Sequence, residues 1–67
     1  MLTIVANGTK REVADGITVA DYLAALGLPP GQVVVEHNRQ PLHRDRFAVT
    51  RLQSGDVLEV AQMVGGG

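Results

Sequence analysis

The chain has 67 residues, no cysteine, 45% hydrophobic residues and a net charge of −1 at pH 7. A domain this short buries only about 60% of its unfolded surface, and without cysteine it is neither a disulfide scaffold, a zinc ribbon nor a thiol enzyme. Near-neutral charge with one Tyr and one Phe also argues against a nucleic-acid binder, which needs a basic field and stacking surfaces.

Leu2–Ala6 alternates and is rich in β-formers, so it reads as a strand with Leu2, Ile4 and Ala6 inward. Asn7-Gly8 tolerates positive φ at both positions and predicts a type I′ hairpin into a second strand through about Val13. Thr18 reads as a helix N-cap, with Asp21 completing a capping box and Ile17 and Tyr22 placed for a hydrophobic staple. Val19, Tyr22, Leu23 and Leu26 fall on one helical face. Gly27 suits the left-handed position after the helix, Leu28 can fold back on Leu23, and Pro29-Pro30 stops continuation. Val33–His37 reads as a strand buried on much of both faces and therefore central. Residues 38–50 read as polar and irregular, anchored by Leu42 and Phe47. Ser54-Gly55-Asp56 is a turn, and Val57–Met63 is the last strand with Leu58 and Val60 inward. Gly65-Gly66-Gly67 follows.

Hairpin, helix, strand, irregular segment and strand fit most economically as a mixed sheet with one helix across one face. The expected class is α+β, in the β-grasp or ubiquitin-like layout, with residues 1–64 as the domain and 65–67 as a flexible tail. No stretch approaches transmembrane length and no signal peptide is evident, so the expectation is a cytoplasmic protein without membrane or nucleic-acid partners. A chain this short hardly walls off a catalytic cavity, so a carrier or binding module is expected ahead of an enzyme.

Several residues together resemble a known family. These are the Asn7-Gly8 turn, the Thr18-Val19 helix start with Leu23, the Val33–Asn38 segment, Gly55-Asp56 with Glu59, and the terminal Val64-Gly65-Gly66-Gly67. Their order and spacing are similar to the ThiS sulfur carriers of thiamin biosynthesis, over essentially the whole chain. Phe47 stands where many members carry a larger aromatic and Tyr22 where Leu is common; both are conservative core changes. The resemblance implies a carrier rather than a catalyst. An E1-like adenylyltransferase (ThiF-type) adenylates the Gly67 carboxyl with Mg-ATP, so ATP and Mg serve the partner and this chain binds no cofactor. A persulfide donor converts the product to a thiocarboxylate, and thiazole synthase (ThiG-type) receives the sulfur. The small subunit of molybdopterin synthase, a carrier for cysteine synthesis, a ubiquitin-like protein modifier and a plain interaction domain stay open as alternatives.

The chemistry suits the residues. A carboxylate is a poor electrophile until it is activated, and glycines at 65 and 66 let the backbone enter a narrow channel. Three extended residues reach roughly 10 Å. With no Cys, the sulfur has no side chain to ride on. A glycine run is also what a frayed end leaves, but its place directly after the final strand favours the functional reading. Met63 falls on the face away from the helix beside the tail, so Met63 and Val64 are expected partner contacts, although a single exposed Met is common in its own right. Arg39, Arg44, Arg46 and Arg51 with His43 read as a solvated segment neutralised by Asp45, with a docking patch for an acidic partner as the other reading. His37 and His43 lack metal-ligand spacing, and Asp56 and Glu59 are assigned to a turn and an exposed strand position, so no catalytic or metal site is expected.

Overall fold

A computed structural model describes residues 1–63. Its elements are β1 (Leu2–Ala6), β2 (Thr9–Val13), α1 (Val19–Ala25), β3 (Val33–His37), β4 (Gln40–Leu42) and β5 (Val57–Gln62), with 3-10 turns at Pro30–Gln32 and Arg44–Arg46. The strands form one mixed sheet in the order β2-β1-β5-β3-β4. β1 runs antiparallel to β2 and parallel to β5, and β3 runs antiparallel to both β5 and β4. From one face, Val19, Tyr22 and Leu23 of α1 join Ile4, Ala6, Val13, Val33, Val35, Phe47, Leu52 and Leu58 in a single buried cluster. This is the expected β-grasp layout. The expected boundary between domain and tail, at residues 64 and 65, lies outside the described residues.

Local chemistry sets the element ends. Asn7 and Gly8 take φ of 50° and 79°, and their neighbours Ala6 and Thr9 pair across the turn, as a type I′ connection requires. The Thr18 hydroxyl accepts from the Asp21 N–H at 3.0 Å while the Asp21 carboxylate accepts from the Thr18 N–H at 3.1 Å, closing the capping box. At the far end the Gly27 N–H donates to the Ala24 carbonyl and the Leu28 N–H to the Leu23 carbonyl, each at 3.0 Å, with Gly27 at φ +73°. That is a Schellman motif.

Four expectations need correction. Leu26 is 51% exposed because α1 closes at Ala25 and Leu26 is its C-cap; Leu28, folded back by the Schellman turn, packs against the core instead. β3 is not buried on both faces: Val33 and Val35 point inward while Val34 and Glu36 are exposed, since α1 covers only one side of the sheet. β3 is an interior strand as expected, between β5 and β4, while β5 is the middle strand and ends at Gln62 rather than Met63. Residues 38–50 contain a strand, β4, short enough for Pro41 to sit on the sheet edge. Leu42 and Phe47 are anchors as expected, and Leu52, 2% exposed, is a third.

Leu23 is 1% exposed, so Leu23→Ala removes buried contacts that the short helix cannot replace. The expected loss is about 2–5 kcal/mol, read as a lower denaturation midpoint with an unchanged slope. A midpoint equal to the parent's would mean that α1 does not pack through this face.

Candidate functional site

The expected working end follows β5 in the sequence, and β5 is the middle strand of the sheet. Leu58 anchors that strand at 0% exposure. On one side β3 pairs with it from His37↔Leu58 to Val33↔Gln62, and the Met63 N–H donates to the Gln32 carbonyl at 2.9 Å. On the other side β1 pairs only through Val5↔Val57 and Ala6↔Leu58. There the Asn7 side chain takes over: its Nδ2 donates to the Val60 carbonyl at 3.1 Å and its Oδ1 accepts from the Val60 N–H at 2.8 Å. Asn7 therefore makes the hairpin turn and also stands in for the next residue of β1. The sequence marks Asn7 as a turn residue; its hold on a strand more than fifty positions away depends on topology.

Met63 follows β5 and is 54% exposed, on the face expected for a partner contact. Val64, Gly65, Gly66 and Gly67, the other expected site residues, lie outside the described residues. The sheet face away from α1 carries exposed Val34 and Ala61 opposite each other, and exposed Glu36 and Glu59 opposite each other. Together with Asn7 and Val60 these four line a shallow hollow of about 260 Å³.

At the other end of β5, His37, Asn38 and Asp56 form a small polar network. His37 Nε2 lies 2.8 Å from Asp56 Oδ2; a carboxylate only accepts, so the imidazole donates. Asp56 also accepts from the Gln53 N–H at 2.9 Å and from Asn38 Nδ2 at 3.2 Å. The Val57 N–H donates to Asn38 Oδ1 at 2.9 Å. Burial pushes the Asp56 carboxyl up, but the hydrogen bonds from His37, Gln53 and Asn38, with the charge of His37, outweigh it and hold the carboxyl below its ordinary value. Asp56 and His37 thus close the turn into β5. Among the described residues no group of three or more metal-ligating side chains comes together.

The basic segment is spread over several elements. Arg39 sits in the β3–β4 turn, Arg44 reaches toward Gly31, and Arg51 donates to the Gly16 carbonyl at 2.9 Å. Asp45, expected to neutralise the segment, makes no ion pair among the described residues. Glu59 and Asp56 do not pair either: Asp56 faces His37, and Glu59 faces Glu36.

Comparison with known proteins adds to this geometry. The model of the ThiS family matches residues 3–67. The sulfur carrier protein ThiS of Bacillus subtilis is 36% identical over 50 residues, which cover 75% of this chain and 76% of that protein. A thiazole synthase of Paramagnetospirillum magneticum is 32% identical over 66 residues; these cover 98% of this chain but only 20% of that relative. The chain therefore spans about a fifth of that thiazole synthase. Among solved structures, the crystal structure of the thiamine biosynthesis protein ThiS from Geobacter metallireducens is similar with a TM-score of 0.83 and 32% identity, covering 98% of this chain and all of that one.

Because the native Asp56 carboxyl is held low, the unfolded chain takes up the proton first as pH falls. Asp56→Ala should lower stability by roughly 2 kcal/mol at neutral pH, the scale of lost hydrogen bonds to a charged group. The difference from the parent should stay full above about pH 4, where a free Asp is ionised, and shrink as pH falls through the native value. Denaturant titrations at several pH values check this; a difference that grows with acidity would contradict the network.

Proposed function

The chain belongs to the ThiS family, the sulfur carriers of thiamin biosynthesis, and on that premise we propose that the Gly67 carboxyl is the group that carries the sulfur. The protein is a small carrier and acts as a co-substrate. An E1-like adenylyltransferase, using Mg-ATP, turns the carboxylate into an acyl-adenylate whose leaving group is AMP. The outer sulfur of a persulfide donor displaces AMP to give an acyl disulfide. A thiol then cleaves its S–S bond and leaves with the donor sulfur as a disulfide, and the thiocarboxylate so released delivers its sulfur to thiazole synthase. ATP and Mg belong to the partner's site.

One observation carries this reading. The last described residues are fixed to the centre of the sheet by β3 on one side and Asn7 on the other, and a residue with an exposed apolar side chain, Met63, is followed by Val64 and three glycines. A rigid base with side-chain-free residues beyond it suits a group that a partner must draw over a nucleotide. The family match extends through Gly67, which supports the same assignment. Thiazole synthase as acceptor is supported by a relative of that name that contains a stretch similar to this chain. Gly65 and Gly66 form the passage, and Met63 with Val64 contacts the partner. No helix among the described residues is long and apolar enough to cross a membrane, and the reading takes the reaction to be cytoplasmic.

With its adenylyltransferase, ATP, a persulfide donor and a thiol reductant, the intact protein should gain about 16 Da as sulfur replaces oxygen at the acyl carbon. One residue added after Gly67 should abolish the gain, since displacing the reacting carbon by even ~1 Å can cost around a hundredfold in rate. Deleting Gly67 should do the same while leaving the melting temperature nearly unaltered. Sulfur that maps to an internal residue, or that still arrives in the extended protein, would sink the assignment.

Met63→Asp tests the contact separately. It should raise KM for adenylation and leave the fold intact, because the side chain is exposed and outside the buried cluster. An unchanged KM would return Met63 to ordinary surface.

A further inference from the structure

On the sheet face away from α1, Glu36 and Glu59 are direct cross-strand partners in the β3–β5 register. Glu59 also neighbours Val60, whose backbone groups turn toward Asn7. By alternation the Glu59 backbone turns toward β3, so the two glutamates form a hydrogen-bonded pair with Cα atoms about 5.5 Å apart. Like charges placed directly opposite each other weaken a sheet. Neither carboxylate has an ion-pair partner among the described residues. Lys10 shares the face, but it stands on the edge strand β2, two strands from β5. The hollow that the two glutamates line is otherwise formed by Val34, Val60, Ala61 and the amide of Asn7; Val34 and Ala61 are the next pair on this face, two positions along the ladder. The free protein therefore holds a like-charge pair in a mostly apolar hollow on the strand that precedes the glycines.

We propose that Glu36 and Glu59 are a receptor for one arginine of the protein that docks on this face. The argument is charge complementarity. A planar guanidinium offers donors on more than one edge and can bridge two carboxylates, and it is weakly hydrated enough to lie over Val34 and Ala61. Docking it turns a repulsion in the free carrier into two charge-assisted hydrogen bonds, and undocking restores the repulsion. Binding strength is thus placed in a contact that does nothing for the carrier's own fold, which suits a co-substrate that must leave each partner in turn. This inference rests on the carrier reading and specifies the partner chemistry of its docking face.

The test compares Glu36→Gln, Glu59→Gln and their double variant with the full chain, measuring Kd for the adenylyltransferase by calorimetry and the melting temperature. Glu12→Gln, which makes the same change of net charge on β2 at the sheet edge, is the control. Each single variant should weaken binding by on the order of tenfold at low salt, with a smaller effect at high salt. Their melting temperatures should equal or exceed the parent's, and the double variant should lose much less than the product of the two single losses, because both carboxylates serve one group. Glu12→Gln should leave Kd unchanged. An unchanged Kd in both single variants, a loss as large in Glu12→Gln, or independent losses that multiply would each overturn the receptor. Because Kd is read without sulfur transfer, a parent that binds but never gains sulfur would refute the Gly67 chemistry and not this contact.

Discussion

β5 is the middle strand, and the described structure depends on it. It pairs in parallel with β1, the first strand, so the chain between them must cross over one face of the sheet. That crossover contains α1, which seals the face with Val19, Tyr22 and Leu23. The parallel ladder itself spans only two residue pairs, which is little to fix a strand. Side chains complete it. Asn38 and Asp56 secure the entry of β5, and Asn7 secures its exit. These polar clamps, with the β3 ladder, let a small body hold a straight central strand up to its end.

The sequence displays whatever is set by near neighbours. The capping box at Thr18 and Asp21, the Schellman turn at Gly27 and the Asn7-Gly8 hairpin are all short-range devices, and all three stand in the structure. Errors begin where burial depends on the third dimension. Val33-Val34-Val35 has no alternation to show that Val34 faces outward; only the absence of a second covering layer on the described sheet decides it. Leu26 fits the helical period but falls one position past the last turn. The short β4 is hidden by Pro41, which an edge strand tolerates and a central one does not. The family resemblance carried the function, because the group assigned to the chemistry is a terminal carboxyl and no side-chain motif marks it.

The division of labour between the two faces follows from the same topology. The inner face holds the buried cluster and, among the described residues, no buried polar or charged side chain. With so small a core, an unpaired charge there would consume much of the available stability. Polar residues on the helix side, such as Thr9 and Arg11, are exposed, and the like-charge pair stands on the outer face, where water screens it. A like-charge pair at Glu36 and Glu59 is tolerable there because its cost is a fraction of what one buried leucine contributes.

The hairpin explains why the exit of β5 is open to a partner. β1 turns away at Asn7-Gly8 just as β5 continues, and Asn7 reaches only as far as Val60. Beyond Val60, the described part of β5 is flanked by β3 alone, through Val33 and Gln32. A hairpin one pair longer would place another residue of β1 alongside Gln62 and narrow the approach from that side. A shorter one would withdraw Asn7 and leave the Val60 backbone groups without their partners, which is costly for paired groups that lose them. The length of β1 is thus bounded from both sides: long enough to fix β5 through Val60, and short enough to leave the last residues of β5 accessible.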